Sequence, residues 1–158
     1  MSSAAPALGR VLCATDLSEF GNQAVPFAFA IGAPGGRVTL LTVLETRSVP
    51  SPLLPRYGDK HASPGELDAR ESAATAQLEA LARAAAGTRG SAYEVRVARA
   101  AHVADAILTE AERIDAGAIC LATHSRSGLA ELILGSTAHE VLHRAGRPVV
   151  LIPAPVAG

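Results

Sequence analysis

The sequence predicts an α/β fold in which helices cover both faces of a five-stranded parallel sheet, giving a three-layer sandwich. Short apolar runs alternate with helical segments along the chain, and most of these runs are almost continuously apolar, as expected for strands buried on both faces. Aromatic residues make up only 3% of the chain. Ala, Val, Leu and Ile therefore fill the core, which suits helices packed closely on a sheet.

Five β-favouring runs are predicted to be strands. They are Arg10–Thr15, Arg37–Leu44, Ala92–Ala98, Ala118–Thr123 and Pro148–Pro153. The third run contains Y-E-V-R-V, which alternates between apolar and polar residues. This alternation favours an edge strand with one wetter face.

The segments between these runs are predicted to be helices, so that strands and helices alternate along the chain. They are Glu19–Ile31, Glu66–Ala86, His102–Ala116 and Ser136–Ala145. Ser18 is placed to cap the first helix, and Pro26 either kinks that helix or delays its regular part.

The second helix has the clearest start signal. Ser63 can cap it, Pro64 suits the first helical position and Glu66 can complete a capping box. Gly87 is predicted to end it. The buried stripe is predicted at helical spacing, at Leu67, Ala74, Leu78, Leu81 and Ala85.

Length and composition predict one domain spanning 1–158, with an ordered core at about 9–153 and short tails at Met1–Leu8 and Ala154–Gly158. The stretch Glu45–Ala62 has no periodicity and is rich in proline. Because loops of this length in compact domains are usually functional, we expect it to flank the site.

Charge and cysteine usage exclude some classes of partner. The net charge of -1 gives no reason to expect binding to nucleic acid or to an anionic membrane. Cys13 and Cys120 lie inside apolar runs, which predicts buried thiols in a reducing compartment. The chain shows no secretory leader and no run of 18 apolar residues, so we expect a cytoplasmic protein.

Polar residues follow the first and fourth predicted strands. Ligands of parallel sheets bind at the carboxyl ends of the strands, where the strand order reverses, and these two strands are expected to flank that point. Thr15 and Asp16 follow the first strand, and T-H-S-R-S-G follows the fourth. Gly135-Ser136-Thr137 then opens a helix whose first N–H groups favour an anion.

These residue types fit a phosphate group. Arg126 can pair with phosphate oxygens, and Ser125, Ser136 and Thr137 can donate hydroxyl groups. Asp16 fits a ribose hydroxyl or Mg²⁺. Each of these residue types is also common in turns and helix caps. The prediction of a phosphate site therefore depends on their lying close together at one end of the sheet.

Two rival sites have weaker support. H-E-V-L-H, from His139 to His143, matches the zinc hydrolase pattern H-E-x-x-H, but no His, Asp, Glu or Cys follows it as a third ligand. Ser125, His124 and Asp16 are the types of a catalytic triad, but no G-x-S-x-G elbow is present. The simpler interpretation of the first is a helix that carries two histidines on one face. The simpler interpretation of the second is a loop whose residues contact a ligand without catalysing a reaction.

The segment V-L-C-A-T-D-L-S-E resembles the opening strand and acidic loop of the universal stress protein family. The segment from Ala122 to Pro153 resembles its signature segment, in which Gly, two residues, Gly, nine residues, and Gly followed by Ser or Thr wrap ATP phosphates. The resemblance covers nearly the whole chain. It implies a Rossmann-like fold of the adenine nucleotide alpha hydrolase type with strand order 3-2-1-4-5.

The resemblance also implies a dimeric stress-response or signalling module that binds ATP, ADP or AMP, with Mg²⁺ as a candidate ion and little or no hydrolysis. It places Ala14, Thr15 and Asp16 at the nucleoside and Val43 at the base. The implied phosphate contacts are Ala122, Thr123, His124, Ser125, Arg126, Ser127, Gly128, Gly135, Ser136, Thr137 and Ala138. The implied homodimer contact is the last strand, Val149, Val150, Leu151 and Ile152.

The sequence departs from the family pattern at three places. Ala122 and Ser125 stand where the pattern has its first two glycines, and Ala101-His102-Val103 stands where many members have Gly-x-Pro. Members that lack the glycine pattern are thought not to bind ATP. The second hypothesis is therefore a dimerisation and interaction protein with a degenerate phosphate loop, and a phosphatase or ATPase is the third.

Overall fold

The computed structural model describes residues 8–46, 62–87, 90–123 and 134–153. Most of the two predicted tails and most of the proline-rich stretch therefore lie outside the described residues. None of the helices in the described ranges is long and apolar enough to cross a membrane. The elements are β1 (Arg10–Ala14), α1 (Glu19–Asn22), α2 (Ala24–Ile31), β2 (Arg37–Glu45), α3 (Pro64–Ala86), β3 (Ala92–Ala100), α4 (Val103–Arg113), β4 (Ala118–Thr123), α5 (Ser136–Arg144) and β5 (Val149–Pro153).

The five strands form one parallel sheet in the order β3-β2-β1-β4-β5, which confirms the predicted fold class. The central strand β1 pairs with β2 on one side and β4 on the other, so that Ala14 lies opposite both Leu41 and Leu121. The chain moves outward from β1 in one direction and later returns to build β4 and β5 in the other. The strand order therefore reverses between β1 and β4, where the sequence placed the site.

Helices cover both faces of this sheet. Val11 and Cys13 of β1 pack on one face with residues of α2 and α3, including Leu78. Leu12 and Ala14 alternate with them and pack on the other face with residues of α4 and α5. Each face of β1 is thus buried, which is the physical reason for its continuous apolar run.

The first predicted helix is divided in two. Helix α1 ends at Asn22 and α2 begins at Ala24, with Gln23 between them. Ser18 caps α1, because its side chain accepts a hydrogen bond from the N–H of Gly21. Pro26 lies in the first turn of α2, where an N–H would have no intrahelical partner, so it delays the regular helix rather than kinking it.

Helix α3 begins at Pro64, slightly earlier than predicted, with the expected capping box. The backbone N–H of Ser63 donates to the Glu66 carboxylate, and hydrogen bonding to Ser63 lowers the pKa of Glu66. Gly87 ends the helix with a φ of 45°, a conformation that favours glycine. Ala74 and Leu78 are buried, as predicted. Further along the helix the buried residues are Ala82 and Ala86, whereas the predicted Leu81 and Ala85 are half-buried.

Cys13 and Cys120 are fully buried free thiols, as predicted. They lie directly opposite each other on β1 and β4, and the Cys120 thiol is 3.6 Å from the carbonyl oxygen of Ala24. Hydrogen bonding with Cys120 and burial raise the pKa of Cys13 well above its ordinary value. A thiol in this state packs as a small apolar side chain.

Candidate functional site

A cleft of about 440 Å³ opens at the carboxyl ends of β1, β2 and β4. Its volume lies within the range of about 300–1,000 Å³ that is typical of small-molecule sites. The predicted site residues that line it are Ala14, Thr15, Asp16, Val43, Ala122, Thr123, Gly135, Ser136 and Thr137, together with Ala138. The other predicted site residues, His124, Ser125, Arg126, Ser127 and Gly128, lie outside the described residues.

The turn after β1 is held by the side chain of Thr15. Its hydroxyl accepts a hydrogen bond from the N–H of Leu17 at 3.0 Å and donates to Oδ1 of Asn22 at 2.8 Å. Its own backbone N–H donates to the carbonyl of Leu41, which extends the β1–β2 pairing by one bond. Thr15 is buried, so its main contribution is to fix the path of the chain into the cleft.

Asp16 both shapes this turn and faces solvent. Its Oδ1 accepts hydrogen bonds from the N–H of Ser18 at 2.9 Å and from the Ser18 hydroxyl. Leu17, between them, has a φ of 64°, a left-handed conformation that a leucine adopts only when its surroundings impose it. The second oxygen, Oδ2, accepts no hydrogen bond from another residue in the described part of the chain.

Gly21 makes this close packing possible. A Cβ atom at Gly21 would lie 2.2 Å from Oδ1 of Asp16 and 2.9 Å from Oγ1 of Thr15. Any side chain would therefore displace the carboxylate. The sequence prediction missed Gly21, although a glycine inside a predicted helix is a signal that another group approaches the backbone.

Backbone groups of β2 are exposed at the edge of the cleft. The carbonyl of Leu41 points towards β1, because it accepts from the N–H of Thr15. In an extended strand, alternate residues direct their N–H and C=O to the same side, so those of Val43 also point towards β1. Pairing with β1 has ended at Leu41, which leaves the N–H and C=O of Val43 beyond the ladder.

The first turn of α5 forms the opposite wall. Gly135 is its N-cap and offers no side chain to the N–H groups of Ser136 and Thr137, which have no partner within the helix. The first helical bond runs from the N–H of His139 to the carbonyl of Gly135. A helix start of this kind carries partial positive charge and unsatisfied donors, and it attracts anions.

Apolar side chains make the floor of the cleft, and its charged side chains are acidic. Leu41, Leu121, Ile107 and Val103 line it from three different elements. The described lining residues include two carboxylates, Asp16 and Glu45, and no basic side chain. The sequence prediction did not name Leu41, Leu121 or Ile107. Glu45 begins the stretch that was expected to flank the site, and Val103 belongs to the segment that stands where many family members have Gly-x-Pro.

The structure accommodates two of the departures from the family pattern, at Ala122 and at Val103. Ala122 belongs to β4 and pairs with Ile152, so its backbone is extended and needs no glycine. Val103 is the first residue of α4, a position that suits proline but does not require it. Both side chains line the cleft, and neither residue has a positive φ.

The structure describes the histidines of the first rival site but not most residues of the second. His139 and His143 are exposed on α5, with ring centroids 4.4 Å apart. Within the described ranges, no three His, Cys, Asp or Glu residues are grouped to hold a metal ion, so the third ligand of a zinc hydrolase is not found there. Of the proposed triad, His124 and Ser125 lie outside the described residues.

Comparison with known proteins identifies the family. The model of the universal stress protein family matches residues 8–153. The chain therefore belongs to the universal stress protein family. No curated protein matches the chain in sequence.

Solved structures with the same fold include other universal stress proteins. One from Burkholderia pseudomallei is 22% identical with a TM-score of 0.66, covering 94% of this chain and 98% of that one. One in complex with cAMP is 21% identical with a TM-score of 0.63, covering 94% and 99%. One from Archaeoglobus fulgidus in complex with dAMP is 20% identical with a TM-score of 0.53, covering 90% and 95%.

Proposed function

We propose that the chain is a cytoplasmic, dimeric stress-response or signalling module that binds an adenine nucleotide in the cleft. The observation that carries this proposal is the position of the uncapped start of α5, which faces the turn after β1 across an apolar floor. This arrangement offers an anion site at one end and a flat apolar site at the other. Universal stress proteins with the same fold have been solved with cAMP and with dAMP.

The base is proposed to lie at the β2 end of the cleft. Leu41, Ile107 and Val103 provide apolar contacts for the faces of a purine ring. The N–H and C=O of Val43, which lie beyond the pairing of β2 with β1, form a donor and acceptor pair on one strand edge, and this pair complements the donor and acceptor pattern on the edge of adenine. The second oxygen of Asp16 is then placed to accept from a ribose hydroxyl.

The phosphates are proposed to lie at the start of α5. The N–H groups of Ser136 and Thr137, with their hydroxyls, supply donors without an intrahelical partner. The resemblance to the family adds His124 to Gly128 as further proposed phosphate contacts, with Arg126 as the positive charge. Because Asp16 and Glu45 make the described lining acidic, phosphates also need a cation such as Mg²⁺.

Binding rather than turnover is the proposed activity. The titratable side chains among the described lining residues are the carboxylates of Asp16 and Glu45. The Oδ1 atom of Asp16 accepts a hydrogen bond from the N–H of Ser18, which fixes the position of the carboxylate. We therefore assign Asp16 a role in contacting the ligand. We therefore infer slow hydrolysis at most, with nucleotide occupancy as the signal.

The second candidate is an interaction protein whose cleft stays empty. It is favoured by the acidic lining and by Ala122, whose methyl group occupies space that glycine would leave open. Calorimetry with AMP, ADP and ATP, each with and without Mg²⁺, separates the two functions. The proposed function gives one nucleotide per chain with a Kd below about 1 mM. No heat of binding at millimolar ATP supports the empty cleft.

Asp16→Asn is the informative variant in this titration. Asparagine keeps an oxygen that can accept from the Ser18 N–H but removes the carboxylate charge, so the turn is retained. We expect its ATP affinity to depend less on Mg²⁺ than that of the unmodified chain, because only one carboxylate, Glu45, then remains in the described lining of the cleft. An unchanged dependence would place the ion elsewhere. Mass spectrometry of the purified protein under native conditions identifies any nucleotide that remains bound.

The homodimer contact is proposed to be the free edge of β5. The two edges of the sheet differ, because β3 carries Glu94, Arg96 and Arg99 whereas Val149–Ile152 carries no charge. Charged side chains on an edge strand oppose pairing with another chain, and a short apolar edge favours it. The apolar edge at β5 therefore supports an antiparallel or parallel contact between two copies.

We expect Leu151→Pro to convert the proposed dimer into a monomer. The carbonyl of Pro148 points towards β4, since it accepts from the N–H of Ile119, so by alternation Leu151 directs its N–H to the free edge. Proline at 151 removes an outward donor and spares the β4 ladder. Light scattering after size exclusion measures the mass, and far-UV circular dichroism checks the fold. A folded variant that remains dimeric contradicts this contact.

A further inference from the structure

The histidine pair on α5 has no part in the nucleotide site. His139 and His143 are one helical turn apart, and both side chains are exposed. Their ring centroids are 4.4 Å apart and their planes are inclined by 55°. Two exposed imidazoles on one face of a helix are free to rotate about their side-chain bonds towards a common point.

This separation fits a shared metal ion. Bonds of about 2.0–2.1 Å from one tetrahedral Zn²⁺ ion to two imidazole nitrogens place the ring centroids roughly 5.2 Å apart. The observed distance is 4.4 Å, so the rings are close enough to share an ion once they move slightly apart. Rotation about the exposed side-chain bonds can supply this movement.

The charges beside the pair do not oppose a cation. The nearest cationic side chain in sequence is Arg144, and its guanidinium lies 2.7 Å from Asp105 and 3.6 Å from Glu140. These two carboxylates more than balance the charge of Arg144. Glu140 is engaged with Arg144 and lies next to His139 in sequence, so it is not required as a ligand.

We propose that His139 and His143 form a surface chelate for a divalent transition-metal ion of the Zn²⁺ class, with water completing the coordination. Within the described residues no third protein ligand joins them, so the site binds metal exchangeably and is not the hydrolytic centre that H-E-x-x-H denotes in zinc enzymes. Imidazole favours Zn²⁺, Ni²⁺ and Cu²⁺ over Mg²⁺, which prefers oxygen ligands. The site is therefore chemically distinct from any Mg²⁺ bound with phosphates.

The chelate also closes a turn of the helix that begins at the cleft. Gly135 and Ser136 at the start of α5 line the cleft, and the metal bridges the following turn from His139 to His143. A ligand that binds only the helical arrangement stabilises it by mass action. Metal binding is thus expected to slow local opening of α5.

Calorimetric titration of ZnCl₂ into the chain of 158 residues, without nucleotide, tests the proposal directly. We expect one Zn²⁺ per chain, and a loss of affinity of at least about tenfold in His139→Ala and in His143→Ala, since each variant removes one arm of the chelate. Both positions are exposed and alanine is the strongest helix former, so these variants keep the fold. His102→Ala, which removes an exposed histidine outside α5, is the matched control and keeps the affinity.

Two further measurements distinguish a chelate from other outcomes. Glu140→Gln changes the Zn²⁺ affinity by less than about threefold if the two imidazoles are the ligands, whereas a larger loss assigns a ligand role to Glu140 and overturns the two-histidine site. Amide hydrogen exchange of α5 slows with Zn²⁺ in the unmodified chain but not in His143→Ala. Equal zinc affinity in both histidine variants and the unmodified chain overturns the proposal. None of these results depends on nucleotide binding.

Discussion

Gly135→Val is expected to lower the affinity for ATP by at least about 100-fold and to leave the chain folded. Gly135 has a φ of -60°, and a Cβ built on it meets no atom of the described residues within 4 Å, so we expect the fold to tolerate a side chain there. The added methyl groups instead occupy the space in front of the N–H groups of Ser136 and Thr137. Losing charge-assisted hydrogen bonds to phosphate costs about 1.5–3 kcal/mol each, and two such bonds account for this loss.

The measurement is calorimetry with ATP, supported by the unfolding midpoint of each variant. Gly65→Val is the matched control, since Gly65 also has open space around its Cβ position but lies at the start of α3, away from the cleft. Gly135→Ala is expected to give an intermediate loss. Unchanged ATP affinity in Gly135→Val would separate nucleotide binding from the start of α5 and contradict the proposed phosphate site.

The sheet could be predicted because strands that are buried on both faces have almost continuously apolar sequences. The strand predicted at Ala118–Thr123 has those bounds in the structure, because each of its residues must be apolar or small to pack under α4 or α2. The break at Gln23 could not be located in the same way. Pro26 predicts an interruption of the helix but not the residue at which it falls. In the structure the Thr15 hydroxyl donates to Asn22, the last residue of α1.

The site was predictable where its residues follow a strand or open a helix. Asp16 and Gly135 carry turn and cap signals in their immediate sequence neighbours. Ile107 carries no such signal, because the middle of a buried helix looks the same whether it faces a cleft or the core. The role of Val43 was predicted only from the resemblance to the family. The structure adds that β1 ends before β2, so the N–H and C=O of Val43 lie beyond the pairing of the two strands.

Helix α3 depends for its attachment mainly on Leu78, so Leu78→Ala is expected to destabilise the chain by about 2–5 kcal/mol. Leu78 is fully buried and lies in the cluster formed with Leu40 of β2 and Phe29 of α2. Removing its side chain leaves a cavity against β2, which is paired on both sides in the sheet and cannot collapse to fill it. Urea unfolding followed by circular dichroism measures the change.

The polar contacts of α3 cannot substitute for this packing. Arg99 of β3 pairs with Asp68 and Glu71 at 2.6 Å each, but all three side chains are at least one third exposed. Exposed pairs of this kind contribute about 0.2–1 kcal/mol each, so Arg99→Ala is expected to cost far less than Leu78→Ala. Leu142→Ala, at a leucine that is 45% exposed on α5, is the control for loss of a leucine outside the core and should change stability by less than about 0.5 kcal/mol. If Arg99→Ala proved the more damaging variant, α3 would be attached by charge and the packing described for this face of the sheet would be wrong.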